Sequence, residues 1–236
     1  MFDKFDKSSL YCILECDELY EYCVSEYPTE FKTYTDTIRY AGSVKRSVGK
    51  YRDFVNTFLY KQCEKWYANN VGNDFTFCTL HAYELEPGAG RMVPHRDMPH
   101  QSVTMLVHLN ENWIGSNGGE FVIYDTPDKK HKTIMEQSIE YEASATKKPF
   151  EYADEWNDLR STLNIPTEIY KTDVNNKSFV SIRPFTWHGS APVSNLAQEN
   201  RRTVHLTFYN ETQNTLNKMN CFSSNSRVVR IKEYND

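Results

Sequence analysis

The hydrophobic period of this chain changes around Gly72, and no other feature constrains its fold as tightly. Before that point, residues 51–67 place Phe54, Phe58, Leu59, Cys63 and Trp66 at intervals close to one helical turn, and residues 17–23 carry a shorter amphipathic pattern. The polar stretch 69–73, which contains Gly72, supplies a helix stop. Beyond it the period falls to two. Within residues 75–86, His81, Tyr83 and Leu85 share one face while Glu84 and Glu86 share the other, as in a strand with one wet side. Pro87-Gly88-Ala89-Gly90 forms a turn, and further strands are expected at 102–109, 120–124, 179–182 and 202–209. Helices first and short strands afterwards predict a mainly β protein.

A chain of 236 residues is long enough for one domain with a sizeable core. The expected organisation is a single domain: a helical part at 1–72, a β core built from 75–125 and 177–210, and an insertion or lid at 126–176. The insertion is polar, with a possible short helix near 152–159 and a break at Pro166. Connections that long are often binding elements, though surface decoration is equally compatible with this one.

Composition excludes several function classes. The formal charge of -5 comes from mixed acids and bases, so no basic field for nucleic acid is expected, and Lys129-Lys130-His131-Lys132 reads as a solvated loop. No run approaches the roughly 20 apolar residues needed to span a bilayer, and the first seven residues carry acids with no apolar core after them, unlike a signal peptide. A soluble cytoplasmic protein, monomeric or homodimeric, is expected. The six cysteines fit reduced thiols: Cys12 and Cys16 have a loose metal-site spacing, but no second close pair completes four ligands.

His95 and Asp97 stand two apart, so in extended backbone both point the same way, and His188 lies far along the chain after another strand. Two imidazoles and one carboxylate form the facial triad of non-haem Fe(II) oxygenases, which leaves coordination positions open. Alone, His-x-Asp says little. Its setting says more: His95-Arg96-Asp97 is followed by Ser102-Val103-Thr104-Met105-Leu106-Val107-His108-Leu109-Asn110, then Gly118-Gly119-Glu120-Phe121, then Trp187-His188-Gly189-Ser190-Ala191-Pro192-Val193, with Arg202 beyond.

In this combination the chain resembles the 2-oxoglutarate/Fe(II) dioxygenase superfamily, in its prolyl-hydroxylase-like branch, over about residues 76–209 with the insertion set aside. The resemblance implies a double-stranded β-helix, a jelly roll in the cupin manner, with Fe(II) held by His95, Asp97 and His188 as the catalytic centre. It implies 2-oxoglutarate as co-substrate, O2 as oxidant and ascorbate as an optional reductant. The reaction implied is hydroxylation of an unactivated C–H bond in a small molecule, amino acid or peptidyl residue (proline among them), with release of succinate and CO2. Asp97 favours hydroxylation, because related halogenases replace this carboxylate with a small residue. A cupin-like metal enzyme that does not use 2-oxoglutarate, or a non-catalytic β-sandwich binding protein, are the alternatives.

The distal carboxylate of 2-oxoglutarate requires a cation. Arg201 and Arg202 are adjacent and face opposite ways in a strand. Alternation puts Arg202 with Val204, Leu206 and Phe208 on an apolar face expected to look into the barrel, and Arg201 with Thr203, His205 and Thr207 on a polar face expected to look out. Arg202 is therefore the expected partner, a choice the family's spacing to the aromatic at Phe208 also makes. His108 matches a family tyrosine that hydrogen-bonds the same carboxylate, and Tyr83 is either a residue lining the co-substrate pocket or a plain core tyrosine with its hydroxyl satisfied. Arg91, Arg96 and Arg183 lie near the triad in sequence; Arg96 is expected to turn away from the metal, and solvated surface charges are the expected reading of the group, with Arg91 facing substrate as the alternative.

Overall fold

The computed structural model describes residues 1–6, 9–36, 44–95, 97, 101–125, 167–183 and 186–210. Along the chain these form β1 (Tyr11–Leu14), α1 (Asp17–Ser25), β2 (Lys32–Asp36), β3 (Val44–Lys50), a 3-10 turn (Phe54–Asn56), α2 (Phe58–Asn70), β4 (Phe77–Leu85), β5 (Met92–His95), β6 (Gln101–His108), a second 3-10 turn (Gly115–Asn117), β7 (Phe121–Tyr124), β8 (Glu168–Lys171), β9 (Phe179–Ile182), β10 (His188–Ser190) and β11 (Arg201–Tyr209). The strands make two antiparallel sheets, a major one ordered β1-β9-β6-β11-β4-β3-β2 and a minor one ordered β5-β10-β7-β8. With helices on one side, this is the double-stranded β-helix expected from the sequence.

Both faces of the major sheet are covered, and for different reasons. Cys78, Leu80 and Ala82 of β4, Val103, Met105 and Val107 of β6, and Val204, Leu206 and Phe208 of β11 pack on the helices through Leu19, Cys23, Cys63, Trp66 and Tyr67. Phe208 is the centre of this layer: its ring lies 5.4 Å from that of Trp66 and stacks at 5.5 Å on that of Tyr67. The other face turns to the minor sheet, where Leu106 meets Phe121, Ile123, Val180 and Ile182. Val122 and Tyr124 alternate to the far side of the minor sheet, against Trp187 and Ala191.

The first third is less helical than its periodicity suggests. Helix α2 starts at Phe58, not near residue 51, because the Thr57 hydroxyl accepts the Tyr60 amide proton as an N-cap, at 3.2 Å. Phe54 sits in the separate 3-10 turn before it. The strands β1, β2 and β3 belong to the major sheet; β3 carries Arg46 and Lys50 on the face that turns to the minor sheet, so no apolar alternation announces it. Likewise β8 lies inside the stretch read as insertion, and three of its four positions are exposed. The rest of that stretch, residues 126–166 with the possible helix near 152–159, lies outside the described residues. Among those described, no helix is long and apolar enough to cross a membrane.

The helix-to-sheet layer sets a test of stability. Removing the Phe208 ring leaves a cavity between α2 and β11, so Phe208→Ala is expected to cost about 3–5 kcal/mol in urea unfolding. A cost under about 1 kcal/mol contradicts the placement of that ring.

Candidate metal centre

Three strands of the minor sheet set the site. His188 of β10 is registered between His95 of β5 and Ile123 of β7, so these residues form one row facing the major sheet. The two imidazole centroids are 4.3 Å apart, and the Phe121 ring lies 5.4 Å from His188. Buried His188 donates its Nδ1–H to the Thr186 carbonyl, at 2.9 Å, which leaves Nε2 with its lone pair. That nitrogen faces Asp97 Oδ1 at 3.6 Å. Asp97 is fixed from the opposite wall, since Thr104 of β6 donates its hydroxyl to Oδ2 at 3.1 Å. One ligand atom from each of His95, Asp97 and His188 lies within 4.8 Å of the others. A nitrogen, nitrogen and oxygen set on one side, each non-ligating atom otherwise engaged where its contacts are given, fits a divalent first-row metal with open positions.

Close approach of β5 and β10 depends on Gly189. A methyl there would stand 2.5 Å from the Met92 carbonyl oxygen, so a larger residue pushes apart the strands that bring His95 and His188 together.

The inner wall of the major sheet holds Arg201 and not Arg202. Arg201 is 5% exposed, whereas the Arg202 side chain is 44% exposed and lies 3.7 Å from Glu84 and over the Tyr27 ring. The expected facing was reversed. Apolar alternation was a true signal, but the face it marks packs on the helices; the polar face, with Arg201, Thr203, His205 and Thr207, looks into the barrel. The stem of Arg201 crosses to the lead-in of β7, where Gly119 has a φ of 79° and a Cβ would come within 2.6 Å of the arginine Cδ. Both properties require glycine there.

His108 ends β6 on this inner wall, registered against Thr203. Its Nε2 is 2.9 Å from the Thr172 hydroxyl, which also accepts the Phe121 amide proton. Burial, and after it the positive charge of Arg201, holds His108 well below the usual histidine range. A neutral imidazole receiving the threonine proton satisfies all three groups. His205 is held down by burial and then by Arg201, His188, Arg46 and His81; His81 is pushed down to about 4 by burial, Lys50 and Arg46. Tyr83 lies on the same wall, its ring 4.4 Å from that of His205 with the Arg46 guanidinium 5.3 Å from its centroid. Periodicity did not single out Thr104, His205, His81 or Arg46. For Thr104, His205 and His81 the signal is polarity at alternate positions of strands whose other face is apolar; Arg46, on a strand without apolar alternation, has none.

The remaining arginines divide. Arg91 lies 3.8 Å from Glu168 on β8, while Arg183 donates to the Asp6 carbonyl and covers the Phe5 ring, on the N-terminal segment and not at the triad. Arg96 lies outside the described residues.

No protein-family model matches the sequence, and no curated protein matches it. Solved structures do resemble the fold. A prolyl 4-hydroxylase from Pseudomonas putida matches with a TM-score of 0.52 and 13% identity, over 86% of this chain and 94% of its own. An oxidoreductase of the 2OG-Fe(II) oxygenase family from Burkholderia pseudomallei matches with 0.51 and 9%, over 86% of each chain. EvdO2 from Micromonospora carbonacea var. aurantiaca, solved with 2-oxoglutarate, matches with 0.52 and 11%, over 89% of this chain and 93% of its own. The fold of this chain is thus the one these three structures share.

Two outcomes follow from the site. Gly189→Ala is expected to weaken Mn(II) or Fe(II) binding by about 10–100-fold, the usual loss when the support of a ligand is disturbed, while Gly115→Ala, where nothing lies within 4 Å of an added methyl, leaves it unchanged. Equal affinities in direct metal titrations contradict the packing of β5 on β10. The second outcome concerns pH. Unfolded His81 takes up a proton near its ordinary value of about 6.5, but folded His81 only near about 4. Between these values the unfolded chain binds more protons, so stability falls as pH falls. His81 alone is expected to cost the metal-free protein about 2 kcal/mol on going from pH 8 to pH 5. Denaturant unfolding of His81→Gln in chelator should show a correspondingly flatter profile, and an unchanged one contradicts burial of a neutral His81.

Proposed function

We propose that this protein is an Fe(II)- and 2-oxoglutarate-dependent oxygenase that hydroxylates a C–H bond of a second substrate. The observation that carries the reading is the pairing of two features across one barrel. The ligand atoms of His95 and His188, on the minor sheet, lie together with that of Asp97, just beyond β5, and Arg201 is buried on the face of the major sheet that turns to the minor sheet. A guanidinium on the inner wall offers the planar fork that suits the distal carboxylate of a co-substrate whose other end reaches the metal. The solved likenesses support the same reading through their fold and, for EvdO2, its bound 2-oxoglutarate.

Iron(II) in this site, with 2-oxoglutarate and O2, supplies the oxidising chemistry that yields succinate, CO2 and a hydroxylated product. The chain's own part is to bind and to orient. Thr186 fixes the His188 tautomer, and Thr104 holds Asp97 so that Oδ1 is presented. Arg201, with neutral His108 beside it, pairs with the distal carboxylate, and Gly119 gives the arginine stem its path. Leu106, Ile123 and Phe121 keep water from the inner wall. Retention of Asp97 favours hydroxylation over halogenation.

The test is 2-oxoglutarate-dependent succinate formation by iron-loaded protein. His188→Ala should abolish it. Arg201→Gln should raise the 2-oxoglutarate requirement well over about tenfold, since truncating one side of a buried charge pair costs about 2–5 kcal/mol. Arg201→Lys should recover part of that, restoring charge without the planar fork. Arg202→Gln should do little. Metal binding with no effect of 2-oxoglutarate in any variant would favour a cupin-like enzyme that does not use this co-substrate.

A further inference from the structure

The helical side of the molecule carries a groove that the barrel chemistry does not use. It holds about 500 Å³ between α2 and the N-terminal segment. Phe58, Lys61, Gln62 and Lys65 recur three or four residues apart, so they make one stripe along α2 that borders it. Trp66 forms its floor: this ring is 4% exposed, 5.5 Å from that of Phe2 and 5.4 Å from that of Phe208. Because Phe208 belongs to the helix-packed face of β11, the groove lies on the opposite side of the major sheet from the triad. Phe58, by contrast, is 72% exposed, a large aromatic ring left in water beside apolar Met1 and Phe2.

The charges along this stripe have one sign. Lys61 and Lys65 are both exposed and stand one helical turn apart, a spacing at which like charges repel. The groove's lining includes no Asp or Glu. The nearest acids are turned elsewhere. Glu18 takes the terminal amino group at 3.7 Å and the Cys16 thiol proton at 3.6 Å. Glu64 sits on the other flank of α2, where its charge is felt at Tyr60 and Cys78. Asp3 meets Trp66 only through its backbone carbonyl, at 3.3 Å, and is not part of the lining. Gln62, between the two lysines, has its Oε1 without a hydrogen-bond partner. Turned by half a rotation, that amide offers an N–H to an anion.

We infer that this groove binds a free amphipathic anion, a carboxylate or phosphate on an apolar chain. The chain lies along Phe58, Met1, Phe2 and Trp66, and the head group sits between Lys61 and Lys65. A volume of this size suits one small molecule, the apolar floor selects its body, and the two lysines select its charge. The site is separate from the metal centre and does not depend on the oxygenase reading.

The experiment is calorimetric titration of the full chain with decanoate, decyl phosphate, decanamide and decylamine, each below its aggregation concentration. Saturable binding is expected for at least one of the two anions, about threefold to tenfold tighter than for the amide or the amine, since the lysines are exposed and their pairs are weak. The tighter anion identifies the head group. Shortening its chain by two methylenes should weaken binding at least about threefold. Lys61→Glu combined with Lys65→Glu should reverse the preference, so that decylamine binds and the anions do not. Lys61→Arg combined with Lys65→Arg keeps the charge and should stay within about threefold of the wild type. Phe58→Ser should weaken the anion several-fold, and Lys45→Gln, exposed on β3, should change nothing. No saturable binding of either anion, equal binding of decanamide, or unchanged anion binding in the doubly reversed variant would each overturn the inference. So would sedimentation with phosphatidylglycerol vesicles in the absence of any binding to the monomeric anions, because the stripe would then face a membrane surface.

Discussion

The packing of Phe208 between Trp66 and Tyr67 decides the chemistry of the opposite face of its strand. Side chains alternate along β11, so seating Phe208, Leu206 and Val204 under the helices turns Arg201, Thr203, His205 and Thr207 into the barrel. The same helices seat Cys78, Leu80 and Ala82 of β4, which sends His81 and Tyr83 inward. One apolar layer therefore sets the orientation of the polar groups that β4, β6 and β11 place on the inner wall. A slip of one residue would exchange Arg201 for Arg202 and bury the polar set against the helices.

Across the barrel, the minor sheet contributes both metal-binding histidines. Its strands β5 and β10 are four and three residues long, too short to hold a site by themselves. They are held by backbone pairing, by the small size of Gly189, and by the tether from Thr104 of the major sheet to Asp97. The centre is thus assembled from both sheets, each fixing what the other cannot. The buried histidines around it stay neutral because burial and nearby arginines both oppose a further positive charge.

Much of this was legible in the sequence. Period two after Gly72 located β4, β6, β7, β9 and β11, and the spacing of His95, Asp97 and His188 with their flanking strands marked the residues that come together. The Gly118-Gly119 pair was recognisable as a lead-in to a strand, although its purpose, room for the stem of Arg201, was not. Strands β2 and β3 were missed because a strand with a polar inner face has no hydrophobic alternation to detect.

What the sequence determined by itself was the local pattern: which residues alternate, where helices stop, and which side chains can bind a metal. Only the tertiary structure decided which alternate face is inside. In a sheet with one buried face, apolar means inward; here both faces of the major sheet are covered, and the more apolar one is spent on the helices. Arg201 therefore lies within the barrel and Arg202 outside it, paired with Glu84. Alternation gives the difference between two faces but not its sign, and the sign comes from the layer that packs against them.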